Sequence, residues 1–320
     1  MNNFMNTNCA NEISLKLDRI AQKNLISNAY IFCGPENVGK KETAIKFIAE
    51  IIKTNNSDLQ AYSKIKENNY PDYLKIEPTY LSKGNIVNKS EIDKENDQKT
   101  SPIIRIEQIR NIKNFLGKRS IQSSKKFILI ENAHFLNESS SNCLLKTLEE
   151  PTNGVFILLT SRFNLLLDTI ISRCQTIRFK PYSYQDLKQF IEGHSKYKTP
   201  DLLPESGILE NLIFISNGSP GKLLDNLEIW NQIPKNIKNE IHFPLKNYEK
   251  ILNLAKNITS NLDLSQQEFL LNYIQRNWWQ ETKNKSIAEI LESIKNNINS
   301  NVSPRTSWEV GLLKIKLEET

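Results

Sequence analysis

A parallel β-sheet with helices on both faces, followed by an all-helical second half, is the fold class that this sequence predicts. Three observations carry that expectation. Apolar runs of strand length alternate with stretches of helical period up to KPYSY (180–184), the pattern of strands joined by crossover helices. After KPYSY the strand runs fade and helical periods dominate. Between the first strand and the helix after it lies GPENVGKK, Gly34–Lys41, a glycine turn placed as a phosphate-binding loop is placed.

The elements follow in order. Residues 12–24 carry Ile13, Leu17 and Ile20 at helical spacing. AYIFC (29–33) reads as a buried strand. KETAIKFIAEIIK follows, with Ala44, Phe47, Ile48 and Ile51 on one helical face. Residues 54–70 are polar and in part helical, and DYLKIEP (72–78) is the next strand. Residues 80–101 have many charges and no apolar period, so an exposed, disordered insertion is expected there. IRIEQIRNIKNFLGK (104–118) is an amphipathic helix. KKFILIENA (125–133) is a strand with four successive apolar residues, Phe127–Ile130, buried on both faces. SSSNCLLKTLEEP (139–151) is a helix stopped by Pro151, and VFILLTS (155–161) is another buried strand. Helices are expected at 184–194, 206–216, 220–232, 248–258 and 267–280. Trp278, Trp279 and Trp308 in the tail read as core or interface packing rather than as base-stacking groups. The expected domains are 1–181, containing the 80–101 insertion, then 182–238 and 239–320.

Composition narrows the function classes. The chain has 320 residues, 38% hydrophobic and 24% charged, which suits a soluble globular protein of two or three domains. No apolar run approaches the ~18 residues of a membrane span. The first residues lack a basic segment followed by an apolar core, so no secretory signal is read and a cytoplasmic location is expected. Cys9, Cys33, Cys143 and Cys174 form no C-x-x-C pair, so neither zinc nor a disulfide framework is expected. Cys33 and Cys143 lie in apolar contexts and read as small core residues. The formal charge of +6 is compatible with nucleic acid and equally with a bias toward Lys, Asn and Ile.

GPENVGKK keeps Gly34, Gly39 and Lys40 of the phosphate-loop pattern, with Lys41 where a hydroxyl belongs. In a working loop the backbone N–H groups wrap phosphates, the Lys reaches the terminal ones, and the hydroxyl holds Mg²⁺. Lys40 suits its role. Lys41 cannot ligate a cation, because an ammonium has no lone pair. Thr43 points off another side of the helix. The remaining reading is a plain strand-to-helix turn.

FILIENAH (127–134) ends a buried strand on Glu131 and Asn132. Phosphate-loop ATPases place an acid there for Mg²⁺, often with a second acid to activate water. Glu131 keeps the carboxylate, whereas the Asn132 amide is no general base. His134 is read either as a base or as a partly exposed, satisfied histidine. LLTSRFNLLLDTIISRCQTIRF (158–179) ends a strand on Thr160 and Ser161, hydroxyls placed where they could sense a phosphate. Arg173 has two readings: a finger reaching a neighbouring subunit's ATP, or a structural Arg paired with an acid such as Asp168.

The order NAYIFCGPENVGK, YPDYLKIEP, IRIEQIRNI, KKFILIENAHFLNESSSNCLLKTLEEP and TIISRCQTIRF resembles the AAA+ clamp-loader family of bacterial DNA polymerase III, which includes the gamma/tau and delta-prime subunits. The resemblance covers about residues 10–225, and LLKTLEEP and S-R-C are its most specific parts. It implies an AAA+ α/β domain over 1–181, a small helical lid over 182–238 and a helical collar over 239–320. It further implies partner subunits (gamma/tau and delta), a sliding clamp, primed DNA, and Arg173 as a trans-acting finger. Asn217–Lys222 matches the family's second sensor, where active members carry Arg and this chain has Lys222. Active members also have Ser or Thr at position 41 and an acid at 132. Those departures match the delta-prime type, whose own ATP site is degraded and takes ATP weakly or not at all. The family's four zinc cysteines have no counterpart in 54–72, so no zinc is expected. An active gamma-type ATPase and a different AAA+ nucleic-acid motor or loader remain as alternatives.

Overall fold

The computed structural model describes residues 8–56, 58, 60–82, 85–88, 101–150, 153–194, 205–245, 247–300 and 302–318. The chain divides into two compact units, Met1–Tyr182 and Ser183–Thr320.

The first unit holds a five-stranded parallel sheet. Its strands are β1 (Ala29–Cys33), β2 (Tyr73–Ile76), β5 (Lys126–Ile130), β6 (Gly154–Thr160) and β7 (Gln175–Arg178). They lie side by side in the order β2-β5-β6-β1-β7, every pair parallel. The strand-to-strand crossovers carry helices α2 (Lys40–Asn56), α3 (Ala61–Lys66), α4 (Ile106–Gly117), α5 (Glu138–Glu149) and α6 (Asp168–Ile171), and α1 (Asn8–Gln22) precedes β1.

All residues of β1, β5 and β6 are buried, as their unbroken apolar runs require of strands covered on both faces. Successive side chains point to opposite faces. Ala29, Ile31 and Cys33 therefore join Ile128, Ile130, Phe156, Leu158 and Leu144 in one cluster. Tyr30 stacks edge-on against Phe47 of α2, ring centroids 5.3 Å apart, and Phe32 lies 5.4 Å from Phe179. Cys33 is buried, and Cys143 is half-buried against the first cluster. The buried Asp72 carboxylate accepts the backbone N–H groups of Ile121, Gln122 and Ser123 at 2.7–3.0 Å and so ties down the loop before β5.

Two segments depart from the sequence reading. Part of the insertion expected over 80–101 is an antiparallel pair, β3 (Thr79–Ser82) with β4 (Asn85–Asn88). Each strand holds only two adjacent apolar residues, Tyr80–Leu81 and Ile86–Val87, too few to show a period. Ile86 is exposed, as expected of an insertion. Residues 83, 84 and 89–100 lie outside the described residues. The second departure is β7, an edge strand read only as part of an apolar segment. Ile177 alone of its four residues is buried; its place is set by pairing to β1, which no local pattern announces.

The second unit is helical: α7 (Tyr184–Glu192), α8 (Ser206–Ile215), α9 (Pro220–Gln232), α10 (Lys235–Glu240), α11 (Tyr248–Asn261), α12 (Leu264–Thr282), α13 (Lys285–Asn299) and α14 (Pro304–Glu318). Ser183 with Asp186, and Asp263 with Gln266, form reciprocal caps at the starts of α7 and α12. Trp278 and Trp308 are fully buried, their indole N–H groups donating to the Ile241 carbonyl (2.9 Å) and Gln267 Oε1 (3.0 Å). Trp279 is partly exposed. Gly311 lets α14 close on α13, since a Cβ there would meet Ile294 Cδ1 at 2.3 Å.

Candidate functional site

The carboxyl ends of β1, β5 and β6 lie together, with Cys33 opposite Thr160 and Ile130 opposite Leu158. Such ends are where open α/β sheets place ligands. The loop after β1 carries Gly34, Gly39 and Lys40, the residue after β5 is Glu131, and β6 ends on Thr160. The Gly34 N–H donates to the Thr160 carbonyl at 3.2 Å, joining loop to strand end.

The loop backbone has the conformation that its residue types allow. Gly34 has φ +150 and Gly39 φ +93, while Asn37 has φ 55, a region that Asn tolerates better than most side chains. Gly34 is sterically required: a Cβ would lie 2.3 Å from the Phe179 carbonyl oxygen. The Lys40 ammonium turns back into the loop, donating to the Gly34 carbonyl at 2.7 Å and to the Pro35 carbonyl. Burial pushes Lys40 down to about 8, against the opposing pull of Glu36 and Cys33. Glu36, in the same loop, accepts from the Ser161 hydroxyl at 3.2 Å.

Lys41 Nζ lies 2.8 Å from Glu131 Oε1. Glu131 Oε1 has no hydrogen-bond partner among the described residues, so the contact is an ion pair. Glu131 is largely buried, with 17% of its side chain exposed against 51% for Lys41. The Thr43 hydroxyl donates to the Gly39 carbonyl at 3.0 Å, one turn back within the helix. Asn132 is left-handed, at φ 51 and ψ 49. This donor set does not fit a divalent cation. The β5-end carboxylate already faces an ammonium, position 41 has no lone pair, and the Thr43 hydroxyl bonds to the helix.

Thr160 is fully buried, and its hydroxyl accepts from the Arg162 N–H at 3.1 Å. The same oxygen is 3.2 Å from His134 Nδ1. His134 is buried rather than partly exposed. Burial, then Arg162, lowers its pKa, with Lys40 adding to them and Glu36 opposing, which favours a neutral ring partnered by Thr160.

Arg173 lies apart from this cluster. The next residue in its turn, Cys174, packs half-buried against the sheet core, and burial pushes its thiol up to about 12. Ser172 Oγ and Arg173 Nη1 both donate to the Thr169 carbonyl, at 3.1 and 2.9 Å. Arg173 Nη2 donates to Glu149 Oε1 at 2.6 Å. The acid is thus Glu149, at the end of α5, and not the Asp168 considered from the sequence. Lys222 belongs to the second unit, exposed in the first turn of α9, where its backbone N–H donates to the Ser219 hydroxyl at 3.2 Å.

A family described as DNA polymerase III, delta subunit, matches residues 9–183. The chain belongs to this family. A second family, described as the C-terminal domain of cyanobacterial DNA polymerase III delta prime, matches residues 195–315. The chain is similar to DNA polymerase III subunit delta' of Bacillus subtilis, 30% identical over 166 residues, which are 50% of this chain and 44% of the relative. It is similar to subunit delta' of Pseudomonas aeruginosa, 28% identical over 202 residues, 61% of this chain and 54% of the relative. It is also similar to subunit gamma/tau of Mycoplasma genitalium, 28% identical over 254 residues, 79% of this chain and 39% of the relative. The chain therefore spans about half the length, or less, of these curated relatives.

The first family match contains GPENVGKK, Glu131, Thr160 and Arg173; Lys222 falls within the second. Sequence reasoning missed three partners: Glu131 for Lys41, Ser161 for Glu36 and Glu149 for Arg173. Each pair is distant in sequence and is joined by strand and helix ends, so no spacing rule reveals it. The left-handed positions at Asn37 and Asn132 had a readable signal, because Asn is the common non-glycine residue there.

Proposed function

We propose that this chain acts as the delta-prime type of subunit in a bacterial clamp loader, regulating ATP hydrolysis by its neighbours rather than carrying out its own. The observation that carries this reading is the Lys41–Glu131 ion pair at 2.8 Å. It sets a positive charge against the acid at the end of β5, where an active ATPase of this class organises its cation. Asn132 in place of a second acid removes the base that would activate water. Lys40 and the glycines keep a loop backbone able to meet phosphate weakly, without catalysis. The active gamma-type reading lacks support from the site, despite the likeness to gamma/tau.

In this reading Arg173 is the trans-acting finger. It is exposed on a turn held by Cys174 and the Thr169 carbonyl, so its guanidinium can reach a phosphate on an adjacent subunit. It would stabilise charge that develops on the transferring phosphoryl group. The lid is residues 182–238 and the collar residues 239–320, with Lys222 in the second-sensor segment. The partners are the gamma/tau and delta subunits, the sliding clamp and primed DNA, and the setting is cytoplasmic. The modest positive charge of +6 suits contacts to the DNA backbone.

The test is ATP turnover by a loader reconstituted with clamp and primed DNA, using the parent chain or Arg173→Ala. A drop of about tenfold or more with normal assembly is expected. Unchanged turnover would reduce Arg173 to a structural residue. In parallel, the isolated chain should hydrolyse no ATP; measurable turnover by it would overturn the degraded-site reading.

A further inference from the structure

We propose that Glu149 is the positioning residue of Arg173, holding the guanidinium in one outward orientation through the 2.6 Å contact between Nη2 and Oε1. The inference rests on the finger reading above and names the group that aims the finger.

A guanidinium has five N–H donors in a rigid fork. One on Nη1 goes to the Thr169 carbonyl and one on Nη2 goes to Glu149, so three remain for a phosphate. The two contacts come from different elements, the end of α5 and the α6 turn, which together fix the plane of the fork. The adjacent acid, Glu150, turns instead to Lys113 of α4 at 2.7 Å. Of the two acids in LLKTLEEP, only Glu149 faces the arginine. Ser172 and Cys174 hold the backbone of the turn, but neither touches the guanidinium among the contacts described. Orientation of the fork therefore falls to Glu149 and one carbonyl.

Exposure decides between an aid and a lock. Both partners are well exposed, at 39% and 53% of their side chains, and exposed pairs of this kind shift populations only a few-fold. A phosphate bearing more than one negative charge outcompetes such a contact, so Glu149 cannot hold the arginine back. It can bias the free side chain toward the one rotamer that docks.

The experiment is a double-mutant cycle in the reconstituted loader, with clamp and primed DNA, reading kcat and KM for ATP. Glu149→Ala is expected to lower kcat about threefold to fivefold with KM unchanged, and to have no effect in an Arg173→Ala background. Glu149→Gln, which keeps an acceptor but no charge, should recover part of the loss. If Arg173→Ala cuts turnover while Glu149→Ala does not, the finger stands and the positioning role falls. Equal losses in both backgrounds make Glu149 merely structural and overturn the proposal. A rise in kcat on Glu149→Ala overturns it in favour of a restraining contact. If Arg173→Ala itself changes nothing, the finger reading fails and this inference fails with it.

Discussion

At the strand ends, Lys40 is buried with its ammonium on loop carbonyls, and the exposed Lys41 pairs with the largely buried Glu131. At the α5–α6 corner of the same unit, Arg173 is exposed, with two of its five donors engaged by Thr169 and Glu149. The first corner pairs its cations with groups of its own loop and strand end, and the second keeps three of its five guanidinium donors for something outside. A phosphate-loop pattern in sequence therefore does not by itself leave its lysine ammonium free, since Lys40 donates to carbonyls of its own loop. Arg173, with three donors of a rigid fork unengaged, is the cation to test for outward chemistry.

The comparison is broken most forcefully at Gly34. Gly34→Ala places a Cβ 2.3 Å from a backbone oxygen at φ +150, and a loss on the order of 3 kcal/mol is expected. Urea unfolding midpoints measure it; a variant as stable as the parent would show that the loop has room to move.

Next comes pH. Lys40 is depressed from 10.5 to about 8 by burial. Between those values the unfolded chain binds that proton more tightly than the folded one, so the stability contribution rises with pH across this window. Below about 8 both states hold the proton and the term is constant. Lys40→Met should flatten that rise relative to the parent. Parallel slopes in unfolding titrations would contradict the inward, desolvated ammonium.

Lys41→Ala sharpens the contrast, because it strands a carboxylate that is only 17% exposed. A loss of about 1 kcal/mol is expected, read as a lower thermal midpoint. A variant that gains stability would mean the pair is a burden rather than a replacement for a cation. The smallest effect is on the other corner: Glu149→Ala should change stability by less than about 0.5 kcal/mol, since both partners are exposed. A drop as large as that of Lys41→Ala would erase the distinction between the two corners.

Much of the fold was legible. The runs AYIFC, FILI and VFILLT needed burial on both faces, and β1, β5 and β6 are buried throughout. Leu17, Phe47, Ile48 and Ile51 repeat at helical spacing and are buried. Strand β7 and the β3–β4 pair were not legible, because an edge strand with one buried residue and strands with two apolar residues carry no period long enough to read. At the site, the mismatch at Lys41 was visible as chemistry, since an ammonium cannot ligate a cation. What Lys41 does instead was not visible, because Glu131 lies 90 residues away and meets it only at the strand ends.

The sequence by itself determined the alternation of strand and helix, the glycine loop and its departures, and the S-R-C turn, because each is set by residue types within a few positions. The tertiary structure alone decided which acid faces each cation: Glu131 for Lys41 and Glu149 for Arg173. The reason is physical. Backbone conformation and burial periods are local properties of a chain, whereas an ion pair depends on which ends of separate strands and helices the sheet brings within a few ångströms of each other.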